Sequence, residues 1–251
     1  MAKQSGLGDN FYIAGYDLSG DIGSLGNVGG GMAPIEVTGI DKSAQERIGG
    51  RRDGRMTFST FFNPATDRSH LRLSSLPTTD VIATYFRGTT LGNPSANIVA
   101  KQIGYDGTRD AAGALTFAVE AQANGYGLEW GRSMTAGKRT DTGATNGTSV
   151  DFGTGSTAFG LQAYLHVFAF TGTDATIKIQ ESSDDGAGDA WADVTGGAFT
   201  QVTAGPTSQR IATASGQTVE RYLRVITATT GGFSSLTFAV SLVRNATAVS
   251  F

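Results

Sequence analysis

The side chains able to carry chemistry are few and scattered. In 251 residues there are two histidines, His70 and His166, and no cysteine, so disulfides and thiolate nucleophiles or metal ligands are excluded. Neither histidine has a second histidine or a carboxylate at ligand spacing, and each reads as a packed or surface imidazole. Asp184, Asp185 and Asp189 lie in SSDDGAGD, which lacks the alternating ligand positions and the distal Glu of a calcium loop and reads as a hairpin turn. DFGTGST at Asp151–Thr157 has a phosphate loop's glycines without its lysine or following helix. Arg47, Arg51, Arg52 and Arg55 cluster beside Asp41, Glu46 and Asp53. They fit a charge-balanced solvated loop, or guanidinium groups placed to pair with an acidic edge of a neighbouring subunit. No catalytic, cofactor-binding or metal-binding set emerges, and the chain is not expected to be an enzyme.

The elements that would position these groups are strands. Glycine is 36 of 251 residues, about twice the usual ~7%, with few prolines, which suits turn-dense β structure rather than helices. In RMTFSTFFN, Met56, Phe58, Thr60 and Phe62 alternate onto one face. Thr66 or Asp67 can cap one short helix, DRSHLRLSSL, with Leu73 and Leu76 a turn apart and Pro77 closing it. In LQAYLHVFAF both faces are apolar, as in a central strand or an interface. Phe58, Phe62, Phe117 and Phe238 are the candidate core.

Residues 1–34 carry apolar side chains singly among glycines. They read as an extended N-terminal arm whose Phe11, Tyr12, Ile13 and Tyr16 order on another surface. Residues 35–130 form a first β-domain, 131–156 a Gly- and Thr-rich linker or long loop, and 157–251 a second β-sandwich. The strand LTFAV at Leu115–Val119 recurs at Leu236–Val240, and three further strands can be matched in order: IEVTGI with AYLHVFAF, RMTFSTFF with ATIKIQ, NIVAKQI with RYLRVIT. A tandem duplication accounts for this; DAWADVT is the best counterpart to the helix. No apolar run approaches the ~20 residues of a membrane span. The start lacks a signal peptide's apolar core, so synthesis in the cytoplasm is expected. The net charge of −3 is spread without a basic face, unlike a duplex-binding protein.

The Gly-rich start, IEVTGIDKSAQERIGGRRDGRMTFSTFFNP, HLRLSSL, VIATYFRGTTLGNP and AAGALTFAVEAQANGYGLEWG, in that order over roughly residues 9–132, resemble the major tail tube proteins of long, non-contractile-tailed bacteriophages. The resemblance implies a β-sandwich flanked by a helix, whose inner sheet joins those of its neighbours in a closed barrel. Six domains would make a ring, and stacked rings a tube enclosing the tape-measure protein and conducting DNA. It also implies tail-tip and terminator proteins as partners and a place in the virion tail. Asp41–Arg55 would be the loop that reaches the adjacent ring, and residues 1–32 the arm that ties rings together. A duplicated chain would close the ring with three copies in pseudo-sixfold symmetry, a single tube domain with six. The reading from another class is a phage decoration or receptor- or glycan-binding sandwich, using Trp130, Trp191, Tyr126 and Tyr222.

Overall fold

The computed structural model describes residues 5–249; Met1–Gln4 of the expected arm and the last two residues of the expected second domain lie outside them. The chain is nearly all β, with antiparallel pairing throughout. In order it runs β1 (Asn10–Ile13), β2 (Tyr16–Asp17), β3 (Ile22–Glu36), β4 (Arg47–Phe61), α1 (Ser69–Leu73), β5 (Val81–Phe86), β6 (Pro94–Arg109), β7 (Leu115–Ala123) and β8 (Glu129–Ser133). It continues through β9 (Arg139–Asp141), β10 (Thr145–Asn146), β11 (Val150–Asp151), β12 (Leu161–Gly172), β13 (Thr176–Ser182), β14 (Ala192–Ala198), β15 (Thr207–Ala212), β16 (Tyr222–Ala228) and β17 (Phe233–Arg244). Among the described residues no helix is long and apolar enough to cross a membrane.

Two compact units divide the chain, and neither is a contiguous half. The first comprises residues 1–20, 82–97 and 129–251, the second residues 21–81 and 98–128.

The first unit is a sandwich. One sheet runs β15-β12-β17-β8-β6-β5-β1-β2, with β9 beside β17, and β6 contributes Pro94–Asn97 to it. The other is β10-β16-β13-β14, with β11 beside β16. Leu161, Leu165 and Val167 of β12 and Phe238, Val240 and Leu242 of β17 meet Ile177, Ile179, Leu223 and Val225 in the core between them. Period-two alternation then turns Gln162, Tyr164 and His166 to the other face of β12, where they are buried as well. There Tyr164 and Arg210 hydrogen-bond to Glu129, and burial with the nearby carboxylate pushes the Tyr164 phenol far above its ordinary range. Tyr12 of β1 packs on that face with Phe86, Ala239 and Phe168. The turn from β1 to β2 brings Gly15, at φ +84°, so close to the Thr207 and Val167 backbone that a Cβ would stand 2.7 Å from it.

The second unit is a four-stranded sheet, β3-β4-β7-β6, with α1 on one face. The helix is shorter than the expected stretch, and neither Thr66 nor Asp67 caps it. Arg68 is the N-cap and makes no side-chain capping bond. A distant residue does the work: the buried Asp21 carboxylate accepts the Ser69 N–H at 3.0 Å and the Asn63 amide at 2.8 Å. Leu73 is buried, whereas Leu76, at φ 44°, is exposed.

The two LTFAV strands do not occupy equivalent places. β7 lies between β4 and β6, so a structural copy would set β17 between β13 and β16. Instead β17 pairs with β12, β8 and β9, while β13 and β16 pair with each other in the opposite sheet. DAWADVT contributes to β14, not to a helix. The expected linker is also structured. Its segments β9, β10 and β11 pair with β17 or β16, Met134 and Val150 join the core, and the Arg139 guanidinium clasps Asp141 at 2.7–2.8 Å. Side-chain hydrogen bonds of this kind order short segments that show no apolar period.

Candidate assembly surface

The expected arm and arginine loop both change character. Phe11, Tyr12 and Ile13 are buried in the first unit and Tyr16 is half-buried, because β1 pairs along β5 from Asn10↔Phe86 to Ile13↔Ala83. Three consecutive residues are buried on one short strand, so no stripe is visible in the sequence. Arg47, Arg51, Arg52 and Arg55 are not in a loop but on β4. Only residues 37–46 turn, closed by the Val37 N–H on the Glu46 carbonyl and the Glu46 N–H on the Thr38 hydroxyl, both 3.0 Å.

What this builds is a projecting ribbon. β7 accompanies β4 only over Arg55–Phe61. Gly31–Glu36 of β3 and Arg47–Asp53 of β4 therefore pair with each other alone among the described residues. Met32, Ile35, Val37, Ile40 and Ile48 stand exposed along it, Ile40 completely so. Lys42 lies 3.7 Å from Asp41 and 3.9 Å from Glu46 at the tip, and Arg47 hydrogen-bonds Gln45. A two-stranded ribbon is marginal in water on its own. One with five exposed branched or long apolar side chains is a surface made to be covered.

The sheet behind the ribbon has open edges. β3 bonds to β4 on one side and to no strand on the other among the described residues. At the far side, the Arg87 N–H on the Pro94 carbonyl starts the β5–β6 hairpin. β6 then runs on past this hairpin, and among the described residues the pairing given for Gly104–Arg109 is with β7.

The two faces of the sheet differ chemically. Met56, Phe58 and Thr60 of β4, with Val119 and Ala121 of β7 and Leu73 of α1, are buried on one face. Phe62, beyond the end of β4, keeps to this face against His70 and Phe117 but is exposed rather than core; Phe117 is half-buried, stacked on Tyr105 at 4.3 Å. Tyr105 also meets His70 Nδ1 at 3.1 Å, and burial raises its phenol. The opposite face is open and, apart from the exposed Phe61 beside Gly23, polar. There the Ser24 and Ser59 hydroxyls are 2.8 Å apart, the Asn27 N–H donates to the Thr57 hydroxyl at 2.8 Å, and Arg55 pairs with Glu120 at 2.8 Å. Gln122 donates to Asp53 at 3.3 Å on the same side. Arg52 is half-buried beside Gly127. Phe238, the fourth core candidate, is wholly buried in the first unit.

The aromatic candidates for sugar stacking are differently placed. The Arg224 guanidinium lies 4.4 Å over Trp191, with Gly186 against the indole, and Arg221 lies 4.8 Å over Tyr222. Trp130 is exposed in the first unit and Tyr126 in the second. The acidic run is the β13–β14 turn, in which Asp184 accepts the N–H groups of Ala187, Gly188 and Asp189 at 2.6–3.1 Å, bonds that hold its carboxyl below the usual range. His166 is wholly buried, between Gly15 and Thr84.

No protein-family model matches the chain, and no curated protein matches it. Among solved structures it is similar to a chain from the tail of an empty GTA particle refined with C6 symmetry (TM-score 0.40, 14% identity, 51% of this chain and 98% of that one). It is also similar to the SPP1 Dit protein, described as a hub adsorption apparatus of phages that infect Gram-positive hosts (TM-score 0.32, 13% identity, 94% and 99%). A third likeness is to a chain of the phage p2 baseplate in its activated conformation with Sr (TM-score 0.31, 9% identity, 94% and 98%). At these scores the likenesses carry no weight for function.

Proposed function

We propose that the chain is a structural subunit of a bacteriophage tail that closes into rings and stacks into a tube, enclosing the tape-measure protein and conducting DNA. The observation that supports this reading is the sheet β3-β4-β7-β6, open at both edges and extended by an apolar ribbon. Long open edges invite pairing with another chain. Joining the β3 edge of one copy to the β6 edge of the next is a head-to-tail contact, which makes a closed ring when the rotation closes. The ribbon then has a surface to cover it in an adjacent ring. One such sheet per chain, with the six domains per ring that the sequence resemblance implies, gives six full-length chains rather than three. No enzymatic role is part of the proposal; the partners are further copies of the chain and the tape-measure, tail-tip and terminator proteins of a virion tail.

Electron microscopy of the purified protein tests this. Rings or hollow tubes are expected, with mass per ring separating six chains from three by a factor of two. Discrete monomers at high concentration, retained on glycan resin, would overturn it in favour of the decoration or receptor-binding reading.

A further inference from the structure

The stretch DFGTGST lacks a phosphate loop's lysine, and the fold brings arginines to it instead. We propose that this loop, Asp151–Thr157, binds a phosphate group through the Gly155 and Ser156 main-chain N–H groups, with Arg132 and Arg244 supplying the opposite charge. All of these residues lie in the first unit, so the site stands or falls apart from ring formation. The loop is fastened at both ends against the segment leading into β16. The Phe152 N–H donates to the Arg221 carbonyl at 3.1 Å, and Thr157 and Val219 exchange two main-chain bonds at 2.8–2.9 Å. Residues 153–156 between these points are exposed. Arg244, at the end of β17, gathers the loop's acceptors. It donates to the Gly155 carbonyl at 3.0 Å, the Thr154 carbonyl at 3.4 Å and the Thr154 hydroxyl at 2.6 Å. In a trans peptide the N–H points opposite to its carbonyl. The Gly155 and Ser156 N–H groups therefore turn away from Arg244, and neither has an acceptor among the described residues. Successive main-chain N–H groups left open in a turn make an anion-binding concavity. The buried Thr157 hydroxyl at the loop's end is also without a partner among the described residues, so donors here outnumber the acceptors that the chain supplies.

The charge around the loop is unbalanced. The Arg132 and Arg244 guanidiniums lie 5.0 Å and 5.2 Å from the centre of the Phe152 ring. Main-chain carbonyls hold both: Arg132 donates to that of Asp151 at 2.9 Å, and Arg244 also to that of Glu220 at 2.8 Å. The Asp151 carboxylate goes to Arg221 at 2.7–2.8 Å, and the Glu220 carboxyl meets Asp189 of the β13–β14 turn. Burial, and then the proximity of Arg132, lower the pKa of the Arg244 guanidinium. Among the described residues Arg132, Arg221 and Arg244 thus share one carboxylate as ion-pair partner, Asp151. The surplus matches a phosphate monoester, which carries about −1.5 to −2 at pH 7, better than a singly charged carboxylate.

Titration calorimetry of the full chain in chloride buffer tests this, with inorganic phosphate, glucose 1-phosphate and acetate as probes at equal ionic strength. Wild type should bind phosphate saturably, one per chain, and acetate about tenfold more weakly. Gly155→Ala keeps the N–H, and its Cβ meets nothing within 4 Å, so it should bind as wild type does. Gly155→Pro removes that N–H. It and Arg132→Gln should each weaken binding about tenfold, while urea melts in phosphate-free buffer stay as in wild type. If the proline unfolds the unit, Arg132→Gln decides alone. Glucose 1-phosphate bound as tightly as phosphate would assign the site to a phosphate carried on a sugar, and phosphate bound alone to the free ion; both support the site. Wild type that takes up no phosphate, or holds acetate equally well, would overturn the proposal. So would affinity undiminished in Arg132→Gln or in a folded Gly155→Pro.

Discussion

His166 should make the first unit acid-labile in a way one substitution removes. Its ring is wholly buried, with Nδ1 accepting the Gly15 N–H at 3.3 Å and Nε2 2.9 Å from the Thr84 hydroxyl. A backbone N–H can only donate, so Nδ1 is the bare nitrogen and Nε2–H donates to Thr84. Protonation would set a second N–H against Gly15 and strand a charge between Tyr12 and Phe168, and burial accordingly pushes the pKa from 6.5 down to about 3. Because the folded pKa lies below the unfolded one, the stabilisation is complete above pH 6.5 and is lost as pH falls from 6.5 towards 3. Each pH unit in that window costs ~1.4 kcal/mol, so a drop of about two units removes ~3 kcal/mol. Asp17 titrates nearby. Burial raises its carboxyl, but hydrogen bonds from Lys138 and Ser19 hold it below the usual range, and its loss at low pH is shared by wild type and variant. His166→Gln can keep both hydrogen bonds without titrating. Urea unfolding followed by tryptophan fluorescence reports this unit specifically, since Trp130 and Trp191 both lie in it. Wild type should lose ~3 kcal/mol more than His166→Gln over those two units; midpoints that fall in parallel would refute the argument.

Phe238→Ala, in a wholly buried site, should cost about 3–5 kcal/mol, and the half-buried Phe117→Ala roughly half of that; equal losses in urea melts would show that the faces are wrongly drawn. Deleting residues 5–20 should unfold or strongly destabilise the first unit, because Phe11, Tyr12, Ile13 and Leu18 are buried there, and a wild-type-like melt would return the segment to the role of a free arm. Ile35→Asp with Ile40→Asp should leave stability within about 0.5 kcal/mol while abolishing tubes in electron micrographs; tubes of normal length would take the ribbon out of the interface.

Strand identity could be read directly, and strand partnership could not. Met56, Phe58 and Thr60 alternate into the core, as do Leu161, Ala163, Leu165 and Val167, because side-chain direction reverses at each residue of any extended chain. The glycine load and the single short helix are likewise local properties of composition and spacing. Which edge a strand bonds to is not local. LTFAV satisfies the same alternation beside β4 and β6 as it does between β12 and β9, so a five-residue identity said nothing about neighbours. The same limit hid the burial of Phe11–Ile13, where β5 supplies the partner from a segment seventy residues away. It also hid the ribbon, since IEVTGI and ERIGGRRDGR show no stripe of their own and are held extended by pairing across the turn. Asp21 capping α1 belongs with these cases: the carboxylate that satisfies the Ser69 N–H lies far back in the chain, and folding alone brings them together.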